Sequence, residues 1–420
     1  MAANTKPRPC LVFADDKGEI YDEPDLLMLC RRGDELALPR PDEYVPLPPE
    51  SDFFMLPGRY AIGLDPETGE VEEVEGTAMA AFACPGYTLT GHAAYENGED
   101  APTLPLFAYG AVGYANGKFW ITAKKVDEDK RQVFSKISCE KIDQGANKLM
   151  KDFPENRLIR HLAGCALTYG CPAAKNLALG RFEAPLPTSR SCNARCIGCI
   201  SEQPDESDFP STQNRIQFTP TVKEITEVMH VHAKHEKKPI FSFGQGCEGE
   251  PLTEAALLHD SIAKYRSDGG KGTININTNG SITESMKPLA KAGLSSIRVS
   301  LNSLRKEVYN SYYRPKGYSF DDVSATIELA KSLGVHVSLN YLFFPGISDT
   351  EYELEALLEI AKKTKLDFIQ LRNLNLDPDL YMEVMEPHEF GPVMGFNNFR
   401  KRIKKECPWL KFGYFNPYLG

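Results

Sequence analysis

Along residues 1–135, apolar positions come in short alternating runs broken by turn residues, the period-two pattern of half-buried strands. CLVFADDKGEIYD sets Asp16, Lys17 and Gly18 between two apolar flanks, and YAIGLDPETGEVEEV turns over Asp65–Gly69. In AVGYANGKFWIT the pair Asn116–Gly117 supplies the positive φ angles of a two-residue hairpin. Pro39, Pro41, Pro46, Pro48 and Pro49 predict strands that are short and partly irregular. This stretch reads as a β-rich N-terminal domain, followed by a helical connector over 136–182.

From 183 onward the pattern changes to alternating strand and helix. PIFSFG, TININTNG, SSIRVSLNS, HVSLNYLFFPG and DFIQLRNLN are rich in β-branched and aromatic residues, as buried strands are. Between them, Val323, Ile327 and Ala330 fall on one helical face, as do Leu354, Leu357, Leu358 and Ala361. Ser281 with Glu284 and Ser348 with Glu351 have capping-box spacing, Gly293 and Gly334 sit where helices should stop, and Pro288 interrupts one helical pattern. With the segment before Cys192 as a first strand, six βα units fill 183–375, and repeated crossovers imply parallel strands. That span is short of the ~250 residues of a closed eight-unit barrel. The predicted fold class is therefore α/β: a partial (βα)6 TIM-like barrel, or else an open doubly wound sheet. A β-rich domain precedes it and a short C-terminal extension, 376–420, follows. In either arrangement chemistry belongs on the loops at the C-terminal strand ends.

Composition narrows the class of protein. The 420 residues are 42% hydrophobic and 25% charged, which excludes wholesale disorder. No apolar run approaches the ~18 residues of a membrane span, and the opening residues lack a signal-peptide core. A net charge of −10 disfavours an extended nucleic-acid surface. A cytoplasmic protein is expected. Its eleven cysteines are too few for a disulfide scaffold, so clustered thiols point to metal or chemistry.

Cys192, Cys196 and Cys199 form such a cluster, in C-x3-C-x2-C spacing on the loop after the first predicted strand. Thiolates are soft ligands for Fe–S clusters or zinc. Three of them hold three corners of a 4Fe–4S cube and leave one iron without a protein ligand. A zinc site would need further ligands, and His230, His232 and His235 sit on a helix whose neighbours are lysines and glutamates, the mark of a solvated face. The pattern resembles that of the radical S-adenosylmethionine (radical SAM) superfamily over about 183–375. The resemblance implies a 4Fe–4S cluster whose open iron chelates S-adenosylmethionine. It implies reductive cleavage to a 5′-deoxyadenosyl radical, which abstracts hydrogen from a substrate.

Three later segments carry the same resemblance. Gly246-Cys247-Glu248-Gly249-Glu250-Pro251 is similar to the family's Gly-Gly-Glu-Pro motif, with Glu248 where the first glycine would stand. The resemblance implies that Gly249 and Glu250 receive the ammonium of S-adenosylmethionine. It implies amide contacts from Asn277 and Asn279, ribose contacts from Ser300 and Asn302, and adenine-side contacts from the strand containing Asn340. Independently, Arg298, Ser300 and Asn302 share one strand face, and His336, Ser338 and Asn340 repeat that polar spacing, which suits a ligand cavity better than a dry core.

The glycines at 244, 246 and 249 also match a dinucleotide-binding turn, but the next strand ends without the carboxylate that fold requires. A thiolate-metal or electron-transfer module without S-adenosylmethionine chemistry is the alternative of a different class. Cys247 is a candidate hydrogen donor to a substrate radical, and Cys165 and Cys171, with Cys139 or Cys84, are candidates for a further metal site or plain core residues. Arg314 lies in a tyrosine-rich loop (Tyr309, Tyr312, Tyr313, Tyr318) able to close over a carboxylate or merely to cover the barrel end. Arg372, Asn373, Asn375 and Asp377 are candidate polar contacts after the sixth strand. The basic run Arg400–Lys405 reads as a solvated helix face or a dock for an acidic flavodoxin or ferredoxin electron donor. The substrate class is a small molecule or a peptide.

Overall fold

The computed structural model describes residues 6–420; the first five residues of the opening segment lie outside the described set. The β-rich part contains an eleven-stranded sheet. Its hairpin at Asn116–Gly117 has φ of 54° and 72°, with Ala115 paired to Lys118. Two of its strands are long, contrary to the expectation of short ones: Asp52–Leu64 pairs antiparallel with Val71–Phe82. Pro57 and Gly58 are absorbed as an irregularity between Met55 and Tyr60, so the proline bends the strand without ending it. Three helices form the connector: Cys139–Asp152, Arg157–Leu167 and Pro172–Ala178.

The strands after 183 build a parallel sheet in strict sequence order: Glu183–Pro185, Ile240–Phe243, Thr273–Thr278, Ser296–Leu301, His336–Phe343, Phe368–Asn373 and Lys411–Gly413. An order that never reverses, with right-handed crossovers, keeps every helix on one face and curls the sheet toward a partial barrel. It excludes the doubly wound alternative, which needs a reversal. The seventh strand was not foreseen. It pairs with the sixth, and beyond it Asn416 reaches back across the open side. The Asn416 side chain donates to Glu183 Oε1 (2.7 Å) and accepts from Gln370 Nε2 (2.9 Å), joining the first and sixth strands.

The helix stripes pack as expected, with Val323, Ile327, Ala330, Leu354, Leu357, Leu358 and Ala361 all buried. Both expected capping boxes fail. Neither serine is an N-cap: the helix Glu351–Thr364 is capped at Thr350 and the turn Thr283–Ser285 at Ile282, while Ser281 Oγ accepts from Asn193 and Ser348 Oγ from the backbone of Phe344. The boxes that do form are Thr221/Glu224 and Ser319/Asp322. Gly293 ends its helix in the left-handed region at φ 108°. Pro288 is third in the seven-residue helix Met286–Ala292, where a missing N–H costs no helical bond.

Inside the curl the polar residues stand in cross-strand rows. Ser242 pairs with Asn275 and Asn275 with Ser296; Asn277 pairs with Arg298 and Arg298 with Ser338; Ser300 pairs with Asn340 and Asn340 with Gln370. Closed barrels fill their interiors with branched apolar layers. A polar interior here signals a cavity built to hold something polar.

Candidate functional site

The cysteine loop leaves the first strand and is held from below by the helix Lys306–Tyr313. The last carbonyls of that helix lack partners within it, and they receive the loop: Arg195 N–H donates to Tyr313 O (3.0 Å) and Ile197 N–H to Tyr312 O (3.1 Å). A Cβ on Gly198 would come within 2.6 Å of Tyr312 Oη, so only glycine lets the loop lie this close. Tyr309, Tyr312 and Tyr313 are buried in this support, and their segment is a floor for the loop, not a lid over the mouth. Arg314 caps the helix in the left-handed region and is exposed.

Cys192, Cys196 and Cys199 are all partly buried. Burial pushes the Cys192 thiol up to about 11 and Cys196 well above its ordinary value, with each of the other two thiols adding to the rise at Cys196. Such a trio ionises fully only around a cation. Arg215 Nη2 donates to Cys199 Sγ at 3.6 Å, a charge-assisted contact suited to a thiolate.

The loop after the second strand packs directly on the root of the cysteine loop. Gly249 N–H donates to Ser189 O and Glu250 N–H to Ser191 O, both at 2.8 Å, and a Cβ on Gly249 would meet Ser191 O at 2.0 Å. Glu248, the departure from the double glycine, has a structural task. Its buried carboxylate accepts from the N–H groups of Thr188 (2.7 Å), Ser189 (2.9 Å) and Gln245 (2.7 Å), pegging the two loops together. With the N–H groups of Gln245, Glu248, Gly249 and Glu250 already committed, this turn does not cradle a pyrophosphate, which disposes of the dinucleotide reading.

Glu250 is buried at the mouth and accepts from Asn279 N–H (2.7 Å), Leu252 N–H (3.0 Å) and Thr278 Oγ1 (2.5 Å). Burial nevertheless pushes its carboxyl up to about 7. Asn279 Nδ2 donates to Asn193 Oδ1 (2.8 Å), linking the third strand to the cysteine loop, while Asn277 Nδ2 donates to Gly244 O (2.8 Å). On the next two strands Asn340 Nδ2 donates to Ser300 Oγ (3.2 Å), and Asn302 Nδ2 donates to Tyr381 Oη (3.3 Å). The Oδ1 atoms of Asn302 and Asn340 are buried with no partner. Unsatisfied buried acceptors of this kind are costly, and ligand hydroxyls would satisfy them.

Two expectations for the mouth do not hold. Cys247 turns its thiol away from the mouth toward the helix Arg157–Leu167, where it meets His161 and Cys165. The polar run after the sixth strand docks the β-rich domain: Leu89 N–H donates to Asn373 Oδ1 (2.8 Å), and Arg59 pairs with Asp377 (3.0 Å). Arg372 lies over the Tyr414 ring. Among the histidines of the helix Val222–His235, His232 is buried against Phe182 O instead of lying on a solvated face. The basic run is one exposed face of the helix Phe396–Glu406, anchored by buried Ile403. Asn193 and Glu248 went unrecognised in the sequence as site-builders, although both lie within the quoted motifs.

A curled parallel sheet thus carries the three-cysteine loop at its C-terminal edge, within an α/β architecture. Residues 186–358 match the family model of the Radical SAM superfamily. These residues carry a radical SAM domain, that of an enzyme class whose cofactors are a 4Fe–4S cluster and S-adenosylmethionine. Among curated relatives, GTP 3′,8-cyclase of Aquifex aeolicus is 28% identical over 238 residues, 55% of this chain and 68% of the cyclase. The Campylobacter lari cyclase is 29% identical over 217 residues, 51% of this chain and 59% of the relative. The chain thus spans about three-fifths to two-thirds of the length of these relatives. Solved structures that resemble it include HydG, a maturase of the [FeFe]-hydrogenase, at 17% identity and TM-score 0.40 over 66% of this chain and 67% of that one. Streptococcus suis SuiB bound to S-adenosylmethionine is 12% identical, with TM-score 0.39 over 76% and 72% of the two chains. Among the described residues no helix is long and apolar enough to cross a membrane.

Proposed function

We propose that Cys192, Cys196 and Cys199 hold the cluster and that the mouth from Gly249 to Asn340 holds S-adenosylmethionine. The observation that carries this reading is the pair of unpartnered Oδ1 atoms on Asn302 and Asn340, the latter residue bonded to Ser300 on the neighbouring strand. When bound, the cluster and S-adenosylmethionine supply reductive cleavage of the sulfonium and a 5′-deoxyadenosyl radical. The chain's own residues do the positioning. Glu250, fixed by three donors, presents its carboxylate to the ligand's ammonium; the backbone at Gly249 allows close approach; Asn302, Asn340 and Ser300 take the ribose and adenine side. Asn277 and Asn279 order the third-strand edge, with Asn279 tied to the cysteine loop so that both halves of the site move together.

The substrate we assign to the polar interior is a small molecule with an anionic group, in preference to a peptide. Arg298 is half-buried there; its Nη1 donates to Gln370 Oε1 (3.0 Å), its Nε is buried with no partner, and burial together with neighbouring Arg372 lowers its guanidinium to about 9. A phosphate or carboxylate would relieve both effects. The β-rich domain docks at the ends of the fifth and sixth strands, where Gly33 N–H donates to Pro345 O and Thr88 Oγ1 to Leu371 O, and it shields the mouth from water. An acidic flavodoxin or ferredoxin supplies the electron. The GTP 3′,8-cyclase relatives extend the possible substrates to purine nucleotides, which are anionic as well. The test is the triple variant Cys192→Ala/Cys196→Ala/Cys199→Ala, assayed anaerobically with a chemical reductant. Loss of the cluster's absorbance and of 5′-deoxyadenosine release is expected; release at the unaltered rate would refute the assignment.

A further inference from the structure

His161 and Cys165 stand one turn apart on the connector helix Arg157–Leu167, so both project from one face. Cys247 approaches that face from the loop after the second strand. His161 Nε2 lies 3.4 Å from the Cys247 sulfur and 3.6 Å from the Cys165 sulfur. All three ligand atoms fall within 4.8 Å of one another, the only such trio of Cys, His, Asp or Glu among the described residues. The thiols of Cys192, Cys196 and Cys199 are not gathered in this way, so the two groups are built on different scales.

The close spacing matches one ion held tetrahedrally. With metal–sulfur bonds near 2.3 Å and metal–nitrogen bonds near 2.0–2.1 Å, a sulfur and a nitrogen on one ion stand about 3.6 Å apart, and two sulfurs about 3.8 Å. A disulfide between Cys165 and Cys247 would require no imidazole against both sulfurs. Both cysteines are buried, and Cys171 packs in the same apolar cluster, with its N–H on Cys165 O (3.1 Å). Its thiol falls outside the 4.8 Å spacing of the trio, so the fourth position is left to water or another ligand.

We propose that His161, Cys165 and Cys247 form a binding site for one thiophilic divalent cation of the zinc type, separate from the iron–sulfur loop. Two thiolates and an imidazole suit such an ion. The ion would staple the connector to the loop carrying Glu248 and Glu250. Glu248 follows Cys247 directly and takes the N–H groups of Thr188 and Ser189 at the root of the cysteine loop. The site thus ties three segments distant in sequence, and it stands whether or not S-adenosylmethionine binds as proposed above.

The experiment uses the full chain carrying Cys192→Ala/Cys196→Ala/Cys199→Ala, so that the loop's iron is absent. The protein is reconstituted with Zn2+ alone and desalted, its metal is counted by mass spectrometry, and the ligands are read by zinc-edge X-ray absorption. One zinc per chain with both sulfur and nitrogen neighbours is expected, and none when Cys165→Ala and Cys247→Ala are added. Because those two positions are buried, His161→Gln, at a half-exposed position, serves as the milder variant. It should weaken Co2+ or Zn2+ affinity at least about tenfold while circular dichroism is unchanged. Absence of zinc in the triple variant would overturn the proposal. So would zinc that persists with sulfur-only ligands after His161→Gln at unaltered affinity, an iron–sulfur chromophore in the triple variant, or a Cys165–Cys247 disulfide in its place.

Discussion

Two polar runs follow strands of the curled sheet and look alike as sequence: Ser300 and Asn302 with Asn340, and Arg372, Asn373 and Asp377 with Asp379. In the structure they are opposites. In the second run the amide and both carboxylates are paired, while Arg372 lies over the Tyr414 ring. Asn373 takes the N–H of Leu89 and donates to Tyr87 O; Asp377 takes Arg59 and the N–H of Leu104; Asp379 takes Arg31 and Tyr95. The first run keeps two buried acceptors with nothing to accept. A folded chain tolerates buried polar groups when they are paired, so saturation marks an internal interface and vacancy marks room for a ligand. The same residue types therefore acquire opposite functions from what is packed against them.

Breaking the saturated side should have the largest effect. Arg59→Ala leaves Asp377 buried at 2% exposure without its cation. Loss of one partner of a buried pair costs ~3–5 kcal/mol, and urea unfolding should show it with cluster binding retained. A loss under ~1 kcal/mol would mean that Asp377 is solvated and that this side is not closed.

Glu353 sharpens the comparison by being vacant for another reason. It is fully buried behind the mouth, its oxygens have no hydrogen-bond partner, and Arg305 stands 3.7 Å away. Burial pushes its carboxyl from the ordinary 4.5 up to about 7. Between those values the folded chain keeps a proton that the unfolded chain has lost, so stability falls as pH rises through this window and levels off above it. Glu353→Gln should remove Glu353's share of the slope, leaving that of buried Glu250, and gain on the order of 2–3 kcal/mol over wild type at pH 8 and nothing at pH 4. A variant whose stability tracks wild type at every pH would show that Glu353 is paired after all.

At the mouth itself, Glu250→Gln tests the charge. Hydrogen bonds to an ionised group contribute ~1.5–3 kcal/mol, so the dissociation constant for S-adenosylmethionine should rise about 10–100-fold, with iron content unchanged. Isothermal titration of the reconstituted protein under anaerobic conditions reads the affinity, and an iron assay on the same sample reads the content. Unaltered affinity would move the ammonium site elsewhere.

These contrasts also explain what could be read in advance. Strand–helix alternation, the connector and the Asn116–Gly117 hairpin are local signals, and all three were legible. The capping boxes were local in form only: Ser281 and Ser348 had the right spacing, but Ser281 Oγ accepts from Asn193, 88 residues earlier, and Ser348 Oγ from the Phe344 backbone in a turn before the helix, which starts after Thr350. The same limit applies to Cys247, whose place beside His161 depends on a helix some eighty residues earlier. The seventh strand is three residues long, too short for any periodicity to announce. Motif positions were legible because their spacing is covalent; whether each side chain is paired is decided by tertiary neighbours.

The smallest effect is the most pointed. Asn340→Leu removes a buried acceptor that has no partner, together with one long bond to Ser300. Relief of an unsatisfied group is worth ~1–3 kcal/mol and the lost bond ~1 kcal/mol, so the free protein should be as stable as wild type or up to ~2 kcal/mol more stable. The same change should weaken S-adenosylmethionine about tenfold, because an acceptor waiting for the ligand has gone. Most ligand-site substitutions at buried positions cost stability and affinity together. Opposite signs at Asn340 are what a vacancy built for a ligand requires, and a variant that loses stability while binding normally would assign Asn340 to packing.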